Sequence, residues 1–588
     1  MTDSNDKELE KIRLLLQLED KKVQLEDKKV QLEDKKVQLE DKKVQQLQLQ
    51  LQIEEKKLER ARLHPPSSSA SLSATSYADY YRFSILPYLT TCDFQYPIVK
   101  DIDKLYGDKK FKRRLIGFLR NVTESKPELE VQYDFQTLLI RNELCNTPDS
   151  LFSFFDTHSI YYLNRKAVDI SFFFNGTNLN RSSFDDAYLE LVVLVCEFKA
   201  PDVNIGVEGD LGQMFKYLNV ILSEQYRTHV YGLVCNGDSI VYTKAEKYFR
   251  EPKYYKTNKI SLRRPDKSVD DEAVKQLICL LKGYDDVEKN MSFYGTSFYY
   301  NRQSLLPRHL IERRLGRGLT SRTFLLSDNN DTRCKSVLKL RYGQDFKSVF
   351  QNEVNLVLRL HSSSSSKFFE SCLLKIIEYD KIDYRFICFD KQLIEIKEQL
   401  TYKQILSLFQ IVIELNKQRI VHRDIRPNNI LLCIQTKDLY LVDFGFACEM
   451  GSYVSFAGTV CYAPAHMLLN LRHRFGHYGS LFQYNDENYD LESFVKVLVF
   501  YDNVENREKL QKLDTISRQD DKIEAYISFW DKIRSNEKFQ KLFDLVQLAA
   551  HHLTMYEQNI ANELNTLFNN GQSASSSNVQ TAGKILKN

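Results

Sequence analysis

The stretch that decides the fold reads Ile420-Val-His-Arg-Asp-Ile-Arg-Pro-Asn-Asn-Ile-Leu-Leu432, and Leu441-Val-Asp-Phe-Gly445 follows it shortly afterwards. Apolar, strand-like segments separate two polar clusters here. The first cluster holds Asp424 and Asn429, five positions apart, and the second is Asp-Phe-Gly. A single polar cluster beside a strand is usually an ordinary turn, so the occurrence of two such clusters with this spelling and separation points to function.

The two clusters match the catalytic loop and the metal-binding loop of the protein kinases. The resemblance implies that Asp424 accepts or orients the hydroxyl proton of the substrate, and that Asn429 and Asp443 hold Mg²⁺ at the ATP phosphates. Arg426 stands at the lysine position of the serine/threonine pattern His-Arg-Asp-Leu-Lys-Pro-Glu-Asn. Its guanidinium could meet the γ-phosphate. Tyrosine kinases usually differ here, so the serine/threonine type is expected.

Upstream residues extend the resemblance in the expected order. Gly316 and Gly318 lie in a turn between strand-like segments, and Ser321 stands where the kinase pattern has a third glycine. A small residue there still lets the backbone approach phosphate. Ser-Val-Leu-Lys339 matches the strand whose lysine contacts the phosphates, and Glu353, on the following amphipathic helix, is placed to pair with it. These residues are therefore expected to bind ATP.

The downstream residues fit the same family with departures. The activation segment ends in Ala-Pro-Ala465, where the family has Ala-Pro-Glu, so the lower lobe must be held without that glutamate. Asp490 matches the aspartate that supports the backbone of the catalytic loop. Arg423 suggests control through a phosphorylated activation segment. The hydroxyl groups available in that segment belong to Ser452, Tyr453, Ser455 and Thr459.

Two interpretations of this domain stay open. An active ATP- and Mg²⁺-dependent kinase is favoured because all the residues most directly tied to chemistry are present. They are Lys339, Glu353, Asp424, Asn429 and Asp443. A pseudokinase, which commonly lacks at least one of them, is the alternative, and it would bind ATP and regulate a partner domain.

Residues 1–64 form a repetitive, charged segment in which Asp-Lys-Lys-Val-Gln-Leu-Glu recurs from Asp20 through Glu40. The seven-residue period is typical of a coiled coil. One heptad line is apolar throughout, but the partner line is mostly glutamate, so a solvated, charge-laddered single helix is equally compatible. Weak self-association through residues 1–64 is intermediate between an oligomerising coiled coil and a single helix. Pro65-Pro66 ends the helix, and residues 65–77 read as a flexible linker.

Residues 78–300 read as an α/β module with the order helix, three strands, helix, strands. The patterns predict helices over 128–145, 211–222 and 269–282, and strands over 159–163, 167–174, 189–201, 230–235 and 239–243. Asp169 falls in a buried-looking strand, where a carboxylate is costly unless it is paired or bound to a cation. Glu197 and Lys199 alternate on one face at the end of the most apolar strand, where two carboxylates and a lysine could hold Mg²⁺ and orient a water.

This module resembles the PD-(D/E)xK nuclease superfamily. Val168-Asp169 stands for the Pro-Asp element, Glu197-Phe-Lys199 for the E-x-K element, and Gln213-Met-Phe-Lys-Tyr217 for the glutamine motif of the RecB-like branch. The family often completes its site with an acidic residue of the first helix, which implies Glu130 here. The resemblance implies Mg²⁺-dependent cleavage of DNA. A module that has lost catalysis and serves as a binding surface or spacer is the alternative.

Composition sets the outer limits of the interpretation. A chain of 588 residues is too long for one core, and a net charge of +3 gives no strong overall attraction to nucleic acid. The 11 cysteines include no C-x-x-C pair, which is typical of a reducing compartment. No stretch approaches the roughly 20 apolar residues of a membrane span, so an intracellular protein of cytoplasm or nucleus without membrane contact is expected.

The expected fold class is multidomain α+β. It comprises an N-terminal charged helix or coiled coil (1–64), a restriction-endonuclease-like α/β domain with connector (78–300), a bilobal protein-kinase-like domain (301–563) and a disordered tail (564–588). A nuclease-like module followed by a divergent kinase resembles the Crinkler-type effectors of fungi and oomycetes over about residues 80–560, although their ubiquitin-like header is absent. The expected cofactors are ATP and Mg²⁺, and the expected partners are a protein substrate and, through the nuclease-like domain, DNA.

Overall fold

The computed structural model describes residues 77–92, 106, 108–123, 125–141, 144–146, 150–163, 166–179, 186–225, 227–247, 252–282, 309–328, 335–473, 481–484 and 489–569. The charged helix predicted over 1–64, the linker up to residue 76 and the tail from residue 570 lie outside the described residues. The described residues form two compact units, which are 77–358 with 374–392, and 359–373 with 393–569. The last described helix ends at Phe568, beyond the domain end predicted at 563.

An eight-stranded mixed sheet forms the larger part of the first unit. Its strands run in the order β1-β7-β6-β5-β4-β3-β2, with β8 paired to β6. Their bounds are β1 Leu89–Thr91, β2 Phe152–Asp156, β3 Ile170–Phe174, β4 Leu194–Phe198, β5 His229–Cys235, β6 Ser239–Glu246, β7 Lys253–Lys256 and β8 Ile260–Ser261. β2, β3 and β4 form an antiparallel meander, and β5 then pairs parallel to β4.

Helices flank this sheet, and one of them connects the parallel strands β4 and β5. Their bounds are α1 Tyr77–Tyr80, α2 Lys109–Asn121, α3 Glu128–Arg141, α4 Asp186–Leu191, α5 Glu208–Gln225 and α6 Asp271–Lys282. Strands β3 and β4 are buried along their full length, as continuous apolar runs predict. The central part of the sheet therefore lies inside the core, with α5 as the crossover between β4 and β5.

Two predicted strands differ from the structure. Residues 159–163 form turns, and the strand lies at β2 instead. The apolar run over 189–201 begins as the end of α4 and becomes strand only at Leu194. The side chains of Gln225 and Arg227 donate to carbonyl groups of residues 189, 192 and 193, so the end of this helix is capped from a distant segment. A short apolar run cannot reveal such caps.

A five-stranded antiparallel sheet completes the first unit, in the order β12-β13-β11-β10-β9. The bounds are β9 His309–Arg317, β10 Ser321–Asp328, β11 Lys335–Arg341, β12 Ile376–Tyr379 and β13 Phe386–Phe389, and helix α7 covers Lys347–His361. Buried side chains of this sheet, among them Ile311, Phe324 and Leu338, belong to the same hydrophobic core as the eight-stranded sheet. The core therefore runs across the domain boundary predicted at residue 300.

The second unit is mainly helical. Its helices are α8 Ser366–Cys372, α9 Tyr402–Lys417, α10 Ala465–His473, α11 Tyr489–Asp502, α12 Val504–Asp514, α13 Gln519–Arg534, α14 Glu537–Leu548 and α15 Leu553–Phe568. Short strands are β14 Leu393–Glu395, β15 Ile420–Val421, β16 Ile430–Cys433, β17 Leu439–Leu441, β18 Cys448–Glu449, β19 Tyr453–Ser455 and β20 Leu481–Gln483. A capping box of Thr401 and Gln404 starts α9, which leads directly to β15 and the catalytic-loop stretch.

The cysteines in the described part of the chain are all free thiols. Within the same residues, no helix is both long enough and apolar enough to cross a membrane.

Candidate active site

The hairpin formed by β9 and β10 carries the predicted glycine positions, and we call it the glycine hairpin (309–328). The backbone N–H of Gly318 donates to the carbonyl of Ser321 at 2.9 Å, which closes the turn. A methyl group added at Gly316 would meet only the Cβ of Thr323, at 4.0 Å, and one at Gly318 would meet nothing nearer than 3.5 Å. Among the described residues, packing does not require these glycines, which leaves room for a ligand such as phosphate.

Lys339 and Glu353 form the predicted ion pair, with 2.7 Å between Nζ and Oε2. Both side chains are buried, Glu353 at 2% relative exposure, and the Lys339 ammonium lies 5.6 Å from the centre of the Phe350 ring. A buried ammonium is stable only with a partner, so Glu353 fixes the lysine in one position. These residues and the glycine hairpin all belong to the first unit.

In the second unit, the Asp424 carboxylate is held on both oxygens. Its Oδ1 accepts from the backbone N–H of Thr459 at 2.8 Å, and its Oδ2 accepts from the Asn429 amide at 2.9 Å. Arg426 lies beside it, with Nε 3.2 Å from Oδ2. The carboxylate is 6% exposed and has one orientation, which suits a proton acceptor.

A hairpin of strands brings Asn429 and Asp443 to the same end. β16 and β17 pair antiparallel with Ile430 opposite Leu441, so the residue before Ile430 and those after Leu441 lie side by side. The backbone N–H of Val442 donates to the carbonyl of Asn429 at 2.9 Å, which closes this end. Asp443 is left-handed, with φ of 70°, a conformation that costs a non-glycine residue about 1–3 kcal/mol.

These residues fit a magnesium ion that arrives with a nucleotide. The Asn429 Nδ2 donates to the carbonyl and to Oδ2 of Asp424, so both of these bonds use the amide nitrogen rather than the Oδ1 oxygen. Mg²⁺ usually takes one or two carboxylates together with substrate phosphates rather than a complete protein cage. An amide oxygen and one carboxylate at the end of a hairpin meet that requirement.

The catalytic-loop backbone rests on Asp490. Its two carboxylate oxygens accept from the N–H groups of His422, at 2.6 Å, and Arg423, at 3.0 Å. His422 packs edge-on to the Phe444 ring, with centroids 4.7 Å apart, and its Nε2 lies 3.2 Å from the Val442 carbonyl. The predicted role of Asp490 agrees with these contacts.

The guanidinium of Arg423 is buried and already has partners. It donates to the carbonyl of Phe446 at 2.9 Å and to that of Ser455, and it lies 4.4 Å from the centre of the Tyr484 ring. Strand β19, which contains Ser455, pairs with β20 just before Tyr484. The activation segment is therefore held through backbone carbonyls and an aromatic ring, and its control by phosphorylation stays a prediction.

Position 465 holds alanine where the family pattern has a glutamate, and Glu492 supports the backbone there instead. Its Oε1 accepts from the backbone N–H of Ala465 at 2.8 Å and from Arg534 at 2.9 Å, and Lys496 lies 3.4 Å away. Burial lowers the pKa of Lys496, and the neighbouring Glu492 opposes that shift. Sequence reasoning missed this group, although the unusual Asp-Leu-Glu-Ser spelling around residue 492 was a visible signal.

Gly458 and Thr459 were also missed as site residues. Gly458 has φ of 106°, and a Cβ there would lie 2.2 Å from the Arg423 carbonyl oxygen. Only glycine fits, and the turn presents the Thr459 N–H to Asp424.

A separate polar group lies at the carboxyl end of β4 in the first unit, and we call it the sheet-edge cluster. Glu197 Oε1 lies 2.9 Å from Lys199 Nζ and also accepts from Gln213, whose Nε2 lies 2.8 Å from the Tyr217 hydroxyl. Asp169 Oδ2 accepts from the N–H of residue 198 at 2.6 Å. Four predicted residues of the nuclease-type site therefore lie together.

Glu130 does not join the sheet-edge cluster. It is exposed, whereas Glu128, two positions earlier on α3, is half-buried. Two positions turn a helix by about 200°, so only one of these side chains can face the sheet. Burial, together with the Asp169 carboxylate, raises the pKa of Glu128, which identifies it as the acidic neighbour.

The sheet-edge cluster brings two carboxylates and a lysine together. Among the residues that the structure describes, no three His, Cys, Asp or Glu side chains are grouped so that they could hold a metal ion. Burial, reinforced by Asp169, raises the pKa of Glu197 to about 8, and its Oε2 is buried without a hydrogen-bond partner. Hydrolysis with Mg²⁺ at this cluster stays a prediction.

Comparison with known proteins adds a family and two structures. Residues 310–484 match the family model described as protein kinase domain. The kinase PK-1 of Cydia pomonella granulovirus shares 17% identity with a TM-score of 0.27, over 33% of this chain and 71% of the viral chain. A chain of the CAK complex of Chaetomium thermophilum, in a structure bound to ATP-gamma-S, shares 17% identity with a TM-score of 0.26, over 33% of this chain and 62% of that chain.

Proposed function

We propose that the chain is an ATP- and Mg²⁺-dependent protein kinase that transfers the γ-phosphate to serine or threonine hydroxyls, because residues 310–484 match the family model described as protein kinase domain. The observation that carries the proposal is the Asp424 carboxylate, held on one oxygen by Thr459 and on the other by Asn429. An ordinary surface turn gives no reason for a carboxylate to be buried and oriented in this way.

Each of the predicted site residues has a defined role in this proposal. Asp424 accepts the proton of the substrate hydroxyl as the hydroxyl oxygen attacks the γ-phosphorus of ATP. The bond between the γ-phosphorus and the bridging oxygen breaks, and ADP leaves. Lys339, fixed by Glu353, contacts the α- and β-phosphates. Asn429 and Asp443 would hold Mg²⁺, which neutralises charge on the phosphate oxygens when it is bound.

The serine/threonine preference rests on the catalytic loop. Arg426 lies beside Asp424, where a cation can meet the γ-phosphate during transfer. Its side chain is about one-third exposed and can extend toward a ligand.

The alternative is a pseudokinase that binds ATP and regulates the nuclease-like module. The presence of Asp424, Asn429 and Asp443 in oriented positions favours transfer over binding alone. The restriction-endonuclease-like fold of residues 78–300 and the Crinkler-type architecture remain proposals, supported by the meander, crossover helix and parallel strand around Glu197. Mg²⁺-dependent cleavage of DNA by this module and a role without catalysis, as a binding surface or spacer, are the two proposals for it.

The test is transfer of labelled γ-phosphate from ATP by the full chain in the presence of Mg²⁺, with casein and histone as acceptors and mass spectrometry to map the products. We expect phosphoserine or phosphothreonine, and a loss of at least about 100-fold in Asp424→Asn and Asp443→Asn. Lys367→Gln, an exposed position on α8, is the control and should retain full activity. Nucleotide binding without transfer in the wild type would establish the pseudokinase alternative.

A further inference from the structure

Glu190, in the six-residue helix α4, is a fully buried carboxylate outside the residues used above. Three arginines surround it. Its Oε1 lies 2.5 Å from Nη1 of Arg314 and 2.7 Å from Nη2 of Arg317, and its Oε2 lies 3.4 Å from Nε of Arg322. A buried carboxylate is tolerated only with such partners, so the four side chains form one electrostatic unit.

All three arginines belong to the glycine hairpin. Arg317 stands between Gly316 and Gly318, and Arg314 and Arg322 flank the glycines on the two strands. Arg317 also bonds the carboxylate of Glu224, at the end of α5. Two helices that flank the eight-stranded sheet are therefore tied to the residue that ends β9, directly before the turn.

Arg322 extends this link to the tip of the hairpin. Its Nη1 donates to the carbonyl of Gly318 at 3.0 Å, and its guanidinium lies 4.6 Å from the centre of the Tyr342 ring. The N–H of Tyr342 donates in turn to the carbonyl of Thr320 at 2.7 Å. The Gly318 carbonyl is thus held by a guanidinium whose position depends on Glu190.

Backbone contacts support the same link. The N–H of Ile311 on β9 donates to the carbonyl of Asn178 at 2.7 Å, and Leu179 forms a β-bridge with Ile311. These residues, the four charged side chains and the shared hydrophobic core all belong to the first unit.

We propose that Glu190 is a positioning residue for nucleotide binding, through which the α/β module sets the conformation of the phosphate-binding hairpin. The inference deepens the proposed kinase function and rests on it only in requiring that the hairpin binds ATP. Loss of the Glu190 contacts frees the carbonyls of the turn and lowers the affinity for ATP. The turnover rate at saturating ATP changes less, because Asp424 and its partners are unaffected.

The test measures the dissociation constant of the full chain for a non-hydrolysable ATP analogue with Mg²⁺, alongside KM for ATP, kcat and the melting temperature. Arg317→Gln is the main variant, because this side chain is partly exposed and its loss is less disruptive to folding. We expect the dissociation constant and KM for ATP to rise at least about fivefold, and kcat to change by less than about twofold. Arg313→Gln is the matched control, since Arg313 is exposed on the same strand, and it should match the wild type.

Glu190→Gln and Glu190→Asp complete the series. Glu190→Gln should raise the dissociation constant for the ATP analogue, as Arg317→Gln does. In the double variant, the rise should be smaller than the product of the two single rises, because the two side chains form one ion pair. Glu190→Asp, which keeps the charge, should recover part of the affinity. If Glu190→Gln does not fold, Arg314→Gln replaces it in the cycle.

Unchanged affinity in a folded Arg317→Gln chain, or equal effects of Arg313→Gln and Arg317→Gln, would overturn the proposal. Failure of the kinase proposal is separable, since a wild type that binds the analogue without transferring phosphate still allows the affinities to be compared.

Discussion

The carboxylate of Glu492 and the guanidinium of Arg534 lie 2.9 Å apart, and the same carboxylate oxygen caps the backbone N–H of Ala465. The family pattern places a glutamate at position 465 and an arginine elsewhere. Here the acidic partner has moved to helix α11, while the ion pair that supports the end of the activation segment is retained.

Glu492→Gln should therefore destabilise the second unit. The change removes the charge that faces Arg534 and the fully buried Lys496. Because Arg534 is about one-third exposed, we expect the free energy of unfolding to fall by about 1–3 kcal/mol, which is less than the cost of breaking a fully buried ion pair. Thermal unfolding monitored by fluorescence checks this, with Glu508→Gln, an exposed position on α12, as the control. Equal melting temperatures for the two variants would contradict the assigned role.

Activity should not require phosphorylation of the activation segment. Arg423 is already held by the carbonyls of Phe446 and Ser455 and by the Tyr484 ring. We expect phosphatase treatment and Ser455→Ala to change kcat by less than about twofold, because the serine contributes its carbonyl rather than its hydroxyl to Arg423. Tyr484→Leu should lower kcat about 5- to 30-fold through the lost ring contact.

Tyr453→Phe is the control for this prediction, since Tyr453 is 60% exposed on the same segment. Complete loss of activity after phosphatase treatment would show that a phosphate group is needed in addition to these contacts.

Gly458→Ala should impair catalysis more than stability alone explains. The added methyl group would lie 2.2 Å from the Arg423 carbonyl oxygen, at a φ of 106° that alanine rarely adopts. Relief of this clash moves the Thr459 N–H away from Asp424. We expect kcat to fall at least about tenfold, with a stability loss of about 1–3 kcal/mol.

Gly117→Ala is the matched control for Gly458→Ala. Gly117 lies within helix α2 with open space around its Cα, so alanine there should stabilise the chain by about 0.5–1 kcal/mol. A Gly458→Ala enzyme with wild-type kcat would remove Thr459 from the description of the site.

The stability of the α/β module should depend on pH through Glu197. Burial and the adjacent Asp169 raise its pKa to about 8 from an ordinary value of 4.5, so the folded chain keeps a proton that the unfolded chain loses. The stabilisation is complete below pH 4.5 and is lost as pH rises through 8, by at most about 1.4 kcal/mol per pH unit.

Glu197→Gln should abolish this dependence, so the melting temperature of the variant relative to wild type should rise between pH 5 and 8. Glu272→Gln, an exposed carboxylate on α6, should show no such trend. A difference between Glu197→Gln and wild type that stays constant over this range would place the pKa of Glu197 near its ordinary value.

The predicted site residues that the structure brings together are mostly those close to one another in the sequence. Asp424 and Asn429 lie in one loop, and Lys339 and Glu353 lie on a strand and the helix that follows it, so spacing alone brings them near each other. Asp490 is more distant but stands at a recognisable position of its helix. The prediction of the kinase site therefore rested on short sequence motifs and on the spacing of their residues.

The rest depended on pairings between distant segments. The Glu190 contacts join residues more than 120 positions apart, and nothing near Glu190 in the sequence indicates three arginine partners. Glu128 rather than Glu130 lies near the sheet-edge cluster, and the sequence pattern alone does not fix which face of helix α3 is buried. The strand predicted from residue 189 failed because Gln225 and Arg227, far along the chain, cap the helix end.

The shared core of the two sheets bears on how this protein can be divided. A cut near residue 300 would separate Ile311, Phe324 and Leu338 from the apolar side chains they pack against. Each fragment would then present an open apolar surface, which favours aggregation over folding. We therefore expect the α/β module and the glycine hairpin to fold only when they are expressed together on one chain.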